Sequence, residues 1–311
     1  MAIQWYPGHM HKAQKQIREV MPNVDLVIEV LDARLPYSSN NPLVFELRGG
    51  TPCLKILNKS DLADPQSTQQ WIDYLQQTHN VRAVALDQQK QTQVQSILTL
   101  IRQMVPNKGS ADKPITALIC GIPNVGKSTL INALAGRIIA KTGNEPAVTK
   151  AQQKIRLDGY ITLLDTPGIL WPKFDNENSG YRLAASGAIK DTAISHDDVA
   201  AFAGEYLLAY YPQRLKERYG WQTLPSDEID LLETLGRQRG CLVRGGHVDF
   251  TKVATILLSE LREGTLGPIT LEHPEQIEAE EAHFAQLRQE KEEQKKQHNK
   301  QRRANAKKRR R

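Results

Sequence analysis

The chain has 311 residues, 40% of them hydrophobic, enough for one sizeable domain and a smaller one. No apolar run reaches the roughly 18 residues a spanning helix needs, so no membrane segment is expected. The net charge of +6 sits in the tail: residues 295–311 hold ten Lys or Arg and no acid, and the remainder is mildly acidic. Three cysteines, Cys53, Cys120 and Cys241, lie far apart without metal-ligand spacing, which fits a reducing compartment. Residues 1–7 begin like neither a signal peptide nor an Arg/Ser-rich transit peptide, so a cytoplasmic location is expected.

In chain order, Trp5-Tyr6-Pro7-Gly8-His9-Met10 precedes an amphipathic helix from about His11 to Val20. On composition alone that start is a packed turn. Asp25 to Asp32 reads as a buried parallel strand, a short apolar run rich in β-branched residues. The loop from Ala33 to Ser38 then emerges at its carboxyl end, where open α/β sheets place ligand contacts. A second strand, Pro52 to Leu57, runs into Asn58-Lys59-Ser60-Asp61. The Asp61 carboxylate can accept from N1–H and the exocyclic N2 amine of guanine, whereas adenine presents an acceptor at N1 and no amine at C2. Asn58 can bond the other edge of the base, and the stem of Lys59 can cover its ring. Standing alone, these four residues also suit a surface turn of mixed charge.

A helix over 65–78, a third strand from Val81 to Leu86 and a helix over 91–105 come next. The turn at Val84-Ala85-Leu86-Asp87 takes the place of a base-contacting loop, with Ala85 and Leu86 assigned by position only. A polar linker, Asn107 to Pro114, leads into the strand Ile115 to Cys120.

Gly121-Ile122-Pro123-Asn124-Val125-Gly126-Lys127-Ser128 follows, the pattern G-x-x-x-x-G-K-S between a strand and a helix. This is a phosphate cradle. The glycines let the backbone approach, and N–H groups from Asn124 to Thr129, with the helix N-terminus, face the anion. Lys127 reaches the β- and γ-phosphates, and the Ser128 hydroxyl binds Mg²⁺. Residues 141–149 are polar and punctuated by Gly and Pro. Thr149 is the expected switch threonine on the metal, with Thr142 its competitor. Two strands, about Lys154–Leu157 and Ile161–Leu164, end in Asp165-Thr166-Pro167-Gly168. Asp165 is expected on Mg²⁺, and the Gly168 N–H near the γ-phosphate.

From Asn178 the pattern is helical: about Tyr181–Ile189, Asp197–Tyr211, Ser226–Gly236 and Asp249–Glu263. Residues 275–311 show almost no apolar periodicity and are expected to bury no core, as a disordered tail or a solvated helix. Ten cations without aromatics suit phosphate contact without base reading; a nuclear-localisation signal is the other reading.

The base reader precedes the phosphate loop, the reverse of the ordinary GTPase order. With Pro7-Gly8-His9-Met10, residues 165–173 (Asp-Thr-Pro-Gly-Ile-Leu-Trp-Pro-Lys) and Arg239-Gly240-Cys241-Leu242, the chain resembles the YlqF/RbgA family of circularly permuted GTPases over about residues 3–270. The resemblance implies an α/β fold: a circularly permuted P-loop GTPase domain, mostly parallel sheet with helices on both faces, over 1–175. A small α-helical, rRNA-binding domain over 176–270 and a charged tail over 271–311 complete it. It implies GTP hydrolysis to GDP in assembly of the large ribosomal subunit, with the precursor particle and its rRNA as partners and stimulation by that particle. An RNA-modification GTPase and a nucleotide-gated RNA-binding scaffold are the rival readings. Ile169 stands where many GTPases place a water-orienting glutamine, so the resemblance moves catalysis to His9. It also gives Asn124 two readings: a K⁺ ligand beside the phosphates, or a loop-bracing amide.

Overall fold

The structure, a computed structural model, describes residues 8–140, 153–158 and 160–308. Six strands form one sheet: β1 (Leu26–Asp32), β2 (Cys53–Asn58), β3 (Val81–Leu86), β4 (Ile115–Gly121), β5 (Gln153–Leu157) and β6 (Ile161–Asp165), in the order β3-β2-β1-β4-β6-β5. All neighbours are parallel except the edge pair β5–β6. The interior strands β1 and β2 are buried along their whole length, as expected where helices cover both faces. β5 alternates instead, with Ile155 and Leu157 inward and its other residues exposed.

The helices are α1 (Gly8–Val20), α2 (Pro42–Arg48), α3 (Pro65–Leu75), α4 (Gln91–Met104) and α5 (Lys127–Ala135), then α6 (Glu177–Ala185), α7 (His196–Tyr210), α8 (Pro212–Tyr219), α9 (Glu228–Gln238), α10 (Phe250–Glu263) and α11 (Pro274–Lys308). Right-handed crossovers put α2 and α3 on one face of the sheet and α4 and α5 on the other, because the strand order reverses between β1 and β4. That reversal opens a crevice at the strand carboxyl ends. Register carries Asp32 beside Asn58, and Ile119 beside Asp165, at that edge.

The helical region packs around α7, whose Val199, Ala203 and Leu207 recur every fourth residue and are fully buried against α6, α9 and α10. Two helices escape the sequence pattern. α2 is seven residues long, begun by the Asn41 side chain accepting from Leu43 N at 3.0 Å. α8 follows α7 directly at Pro212, which cannot continue the preceding helix but fits a first turn.

The chain then returns to the sheet. Ile269 N donates to Leu62 O (2.9 Å) and Leu271 N to Arg34 O (2.7 Å). Glu272, fully buried, accepts from Ser38 N at 2.9 Å. Arg182 sits between Glu272 (3.7 Å) and Glu280 (2.6 Å). Ile277, 1% exposed, completes the core of Leu31, Leu57, Trp71 and Leu75. The expectation that nothing from residue 275 onward joins a core therefore fails at the first turn of α11. One apolar residue and one buried ion pair suffice there, and neither produces a periodicity. Contacts continue into the next turns, where Glu280 accepts from Asn176 at 2.8 Å and Arg288 donates to Asp175 O at 2.8 Å, and the side chains of residues 289–298 are exposed.

Candidate functional site

The ends of five strands, β1, β2, β3, β4 and β6, converge. β4 leads through residues 121–126 into α5, and Gly126 begins that helix at φ +91°, where a Cβ would collide with Asn58 Nδ2. Only glycine fits such a backbone against such a neighbour. From β2, Asn58 Nδ2 donates to Val125 O at 2.6 Å, and its Oδ1 is buried without a partner. Lys59, itself left-handed at φ +59°, donates from Nζ to Asn124 O at 2.8 Å. Gln88, two residues past β3, donates to Gly126 O at 3.0 Å. The base reader is thus bonded to the backbone of the phosphate loop. Ser60 and Asp61 form a tight turn just beyond, with Asp61 exposed. Of the two positions assigned at the third strand, Ala85 is half-buried and Leu86 fully buried, and the bond to the loop comes from Gln88.

A second layer holds the reader in place. Asp32, fully buried, accepts from Arg34 at 2.9 and 2.8 Å and from Lys59 Nζ at 3.1 Å. Burial works against that carboxylate, but Arg34 and Lys59 outweigh it and hold it well below the usual aspartate range. The sequence points to this loop but not to the two residues that brace Lys59.

At the end of β6, Asp165 Oδ1 is paired with Lys127 Nζ, and both side chains are buried. Burial raises the Asp165 carboxyl above its ordinary value despite Lys127. Its Oδ2 is buried with no hydrogen-bond partner. An orphaned carboxylate oxygen on the partner of Lys127, whose neighbour in the chain is Ser128, suits a hard divalent cation such as Mg²⁺. Ser128 is half-buried and Thr129 exposed at the start of α5.

The segment after Asp165 is tied on both sides. A Cβ on Gly168 would lie 3.0 Å from the Pro123 backbone, so this residue closes against the phosphate loop. Ile169 N donates to Gly121 O (3.1 Å), and Asn41 Nδ2 donates to Ile169 O (3.1 Å). The Ile169 side chain is 1% exposed, packed into the core and turned away from any water-orienting role. Asn41 in turn donates from its N–H to Glu29, which pairs with Lys55 at 2.6 Å. No motif announces this buried chain from β1 and β2 to residue 169.

His9 lies in the first turn of α1, and its side chain is outside the described residues, as are Thr142 and Thr149 entirely. Its neighbour Met10 is fully buried and accepts from Leu170 N through Sδ at 3.4 Å, so that turn abuts the segment after Gly168. Asn124, at φ +57°, donates from Nδ2 to Gly187 O at 2.8 Å, bracing the loop against the end of α6.

This arrangement can be compared with known proteins. A family model described as 50S ribosome-binding GTPase matches residues 116–202, starting in the phosphate-loop strand and leaving out Asn58–Asp61 upstream. The chain is 46% identical to Ribosome biogenesis GTPase A of Priestia megaterium over 286 residues, 89% of this chain and 99% of that protein. It is 36% identical to Mitochondrial ribosome-associated GTPase 1 of Ictalurus punctatus, covering 86% and 92%. In fold it resembles the crystal structure of GNP-bound YlqF from T. maritima, with a TM-score of 0.59 and 25% identity over 85% of this chain and 99% of that one.

Proposed function

As the chain belongs to the ribosome biogenesis GTPase A (YlqF/RbgA) family and is a GTPase, we propose that it serves as a nucleotide-gated assembly factor for the large ribosomal subunit. The observation that carries this reading is the bond from Asn58 to Val125 O beside the Lys127–Asp165 pair. It puts a base reader, a phosphate loop and a metal-type carboxylate on one sheet edge.

The roles follow from the chemistry of the groups. Asp61 accepts from guanine N1–H and N2, Asn58 bonds the opposite edge of the base, and Lys59 covers the ring. The backbone of Ser60, Ala85 and Leu86 completes the base site. N–H groups of residues 124–129 wrap the phosphates. Lys127 leaves Asp165 for the β- and γ-phosphates. Ser128, Asp165 and the switch residue Thr149 would hold Mg²⁺, which would supply positive charge against the phosphate oxygens. The Gly168 N–H faces the γ-phosphate. A side-chain oxygen from Asn124 offers K⁺ a ligand beside the phosphates, while its amide keeps Gly187.

Hydrolysis needs a water aligned with the γ-phosphorus, and the buried Ile169 cannot align it. The Met10–Leu170 contact supports His9 as the group that does, placing its turn against residue 170. On this reading His9→Ala binds GTP normally but loses particle-stimulated hydrolysis; normal stimulated turnover would make His9 structural.

Helices α6–α10 follow Gly168 directly in the chain, and Asn124 touches their first turn-off at Gly187. The γ-phosphate therefore sets how that region meets rRNA, and the ten tail cations add phosphate contacts. Bacterial relatives favour a cytoplasmic, ribosome-associated protein, and no described helix is long and apolar enough to cross a membrane. Co-sedimentation tests the gating: retention on large-subunit precursors with a non-hydrolysable GTP analogue and release with GDP is expected. Equal retention in both states would overturn it.

A further inference from the structure

Away from the nucleotide edge, a cleft of about 860 Å³ lies between α3, the end of α7 and the start of α11. A smaller one of about 250 Å³ adjoins it, sharing Gln70, Tyr210 and His273. Tyr74, Tyr210 and His273 supply aromatic walls, and Asp73, Glu275 and Glu280 supply carboxylates; Asp64 lines the smaller part. Among the described residues no lysine or arginine lines either cleft. Glu280 is neutralised by Arg182, but Asp64, Asp73 and Glu275 have no basic ion-pair partner among the described residues. Burial holds the His273 imidazole below its ordinary pKa, against the pull of Asp64 and Glu275, so it does not offset their charge at neutral pH.

Two further atoms are unexplained. Gln276, a lining residue, has its Oε1 buried without a hydrogen-bond partner. Behind the wall, Tyr206 stacks on Tyr210 at 4.4 Å and lies 6.5 Å from His273, and its hydroxyl is also buried and unpaired. Of the two, the Tyr206 hydroxyl lies behind the lining, and the Gln276 Oε1 is the acceptor of a lining residue that calls for a donor from elsewhere. Tyr210 is 50% exposed and lines both clefts, so its ring is open to a ligand there.

An unpaired acceptor, carboxylates without a basic partner (Asp73 and Glu275, with Asp64 also capping α3 through Ser67 N) and an open aromatic face are complementary to one kind of group. We propose that this cleft binds arginine side chains of a basic peptide segment on a partner protein. A guanidinium is planar, stacks on tyrosine faces and carries five donors and no acceptor. A phosphate backbone is repelled by the same carboxylates, so on a ribonucleoprotein particle this face selects protein rather than RNA. The site is independent of the nucleotide reading: it would stand if the chain acted on a different particle.

The probe is a fluorescein-labelled peptide of alternating Arg and Gly, followed by anisotropy on the full chain, with the Lys-Gly peptide and a short oligouridylate as comparators. Saturable binding of the Arg peptide is expected, tighter than the Lys peptide and weakened by salt. Tyr210→Ala and Glu275→Lys, both exposed positions, should each weaken it about tenfold or more while GDP affinity stays unchanged. Unchanged affinity in both variants, or no saturable binding, overturns the proposal. So does oligouridylate binding that Tyr210→Ala abolishes, which would make the cleft an RNA site. Concentration-dependent dimerisation lost in Asp73→Lys would give the cleft to the basic tail of a second copy, and would equally overturn it.

Discussion

Asn58 and Val125 are 67 residues apart in the chain and joined by a single bond, Asn58 Nδ2 to Val125 O at 2.6 Å. The motif proposed to read the base is thereby bonded to the loop proposed to hold the phosphates. Asn58→Ala removes this bond, leaving a buried carbonyl unpaired at a cost of about 1–3 kcal/mol. GDP and GTP should both bind about tenfold more weakly or worse, measured with a fluorescent nucleotide. A variant that loses base discrimination but keeps full phosphate affinity would separate the two motifs.

Asp61→Asn should weaken GTP and improve xanthosine triphosphate, whose C2 carbonyl accepts from the new amide. The exposed position of Asp61 makes a folding defect an implausible cause. Competition of the two nucleotides for the same variant checks it, and an unchanged preference would remove Asp61 from base recognition.

Lys127→Ala should abolish nucleotide binding, and it leaves Asp165 buried without its partner. Asp165 already has a raised pKa, so the folded state holds its proton to higher pH than the unfolded state does. Its charged form therefore costs stability, and the cost grows as pH rises through the raised value. The melting deficit of Lys127→Ala should grow as pH is raised from acid, where Asp165 is protonated. Adding Asp165→Asn should shrink that pH dependence.

Asp32 has the opposite sign. Arg34 and Lys59 depress its pKa, so its contribution is present in full above the ordinary aspartate value, about 4, and is lost as pH falls toward the folded value. Asp32→Asn should thus be destabilised at neutral pH and converge with the parent chain in acid. Chemical denaturation at a series of pH values reads the difference; a constant gap would remove the ion pair as its cause.

Much of this was legible in the sequence because it depends on local pattern. All six strands are short, β-rich runs and lie within about two residues of their expected ends. The motifs at Asn58–Asp61, Gly121–Ser128 and Asp165–Gly168 sit at strand ends, where their spacing put them. What was hidden depends on contacts between distant residues. Asn41 bonding to Ile169 O, Gln88 reaching Gly126 O and Asn124 reaching Gly187 O use ordinary polar side chains that read as loop. Arg182, Glu272 and Glu280 look like a solvated charged face in one dimension, yet Arg182 and Glu272 are fully buried. Their burial is visible only once the start of α11 is known to fold back and pack Ile277 against Trp71.

The most direct measurement is GTP turnover by the full chain, alone and with purified large ribosomal subunits, in potassium and in sodium buffer. Slow turnover alone, strongly raised by the subunit, is predicted, with potassium required if Asn124 holds that ion. Turnover that is unchanged by the subunit in either buffer would contradict a GTPase gated by the ribosomal particle.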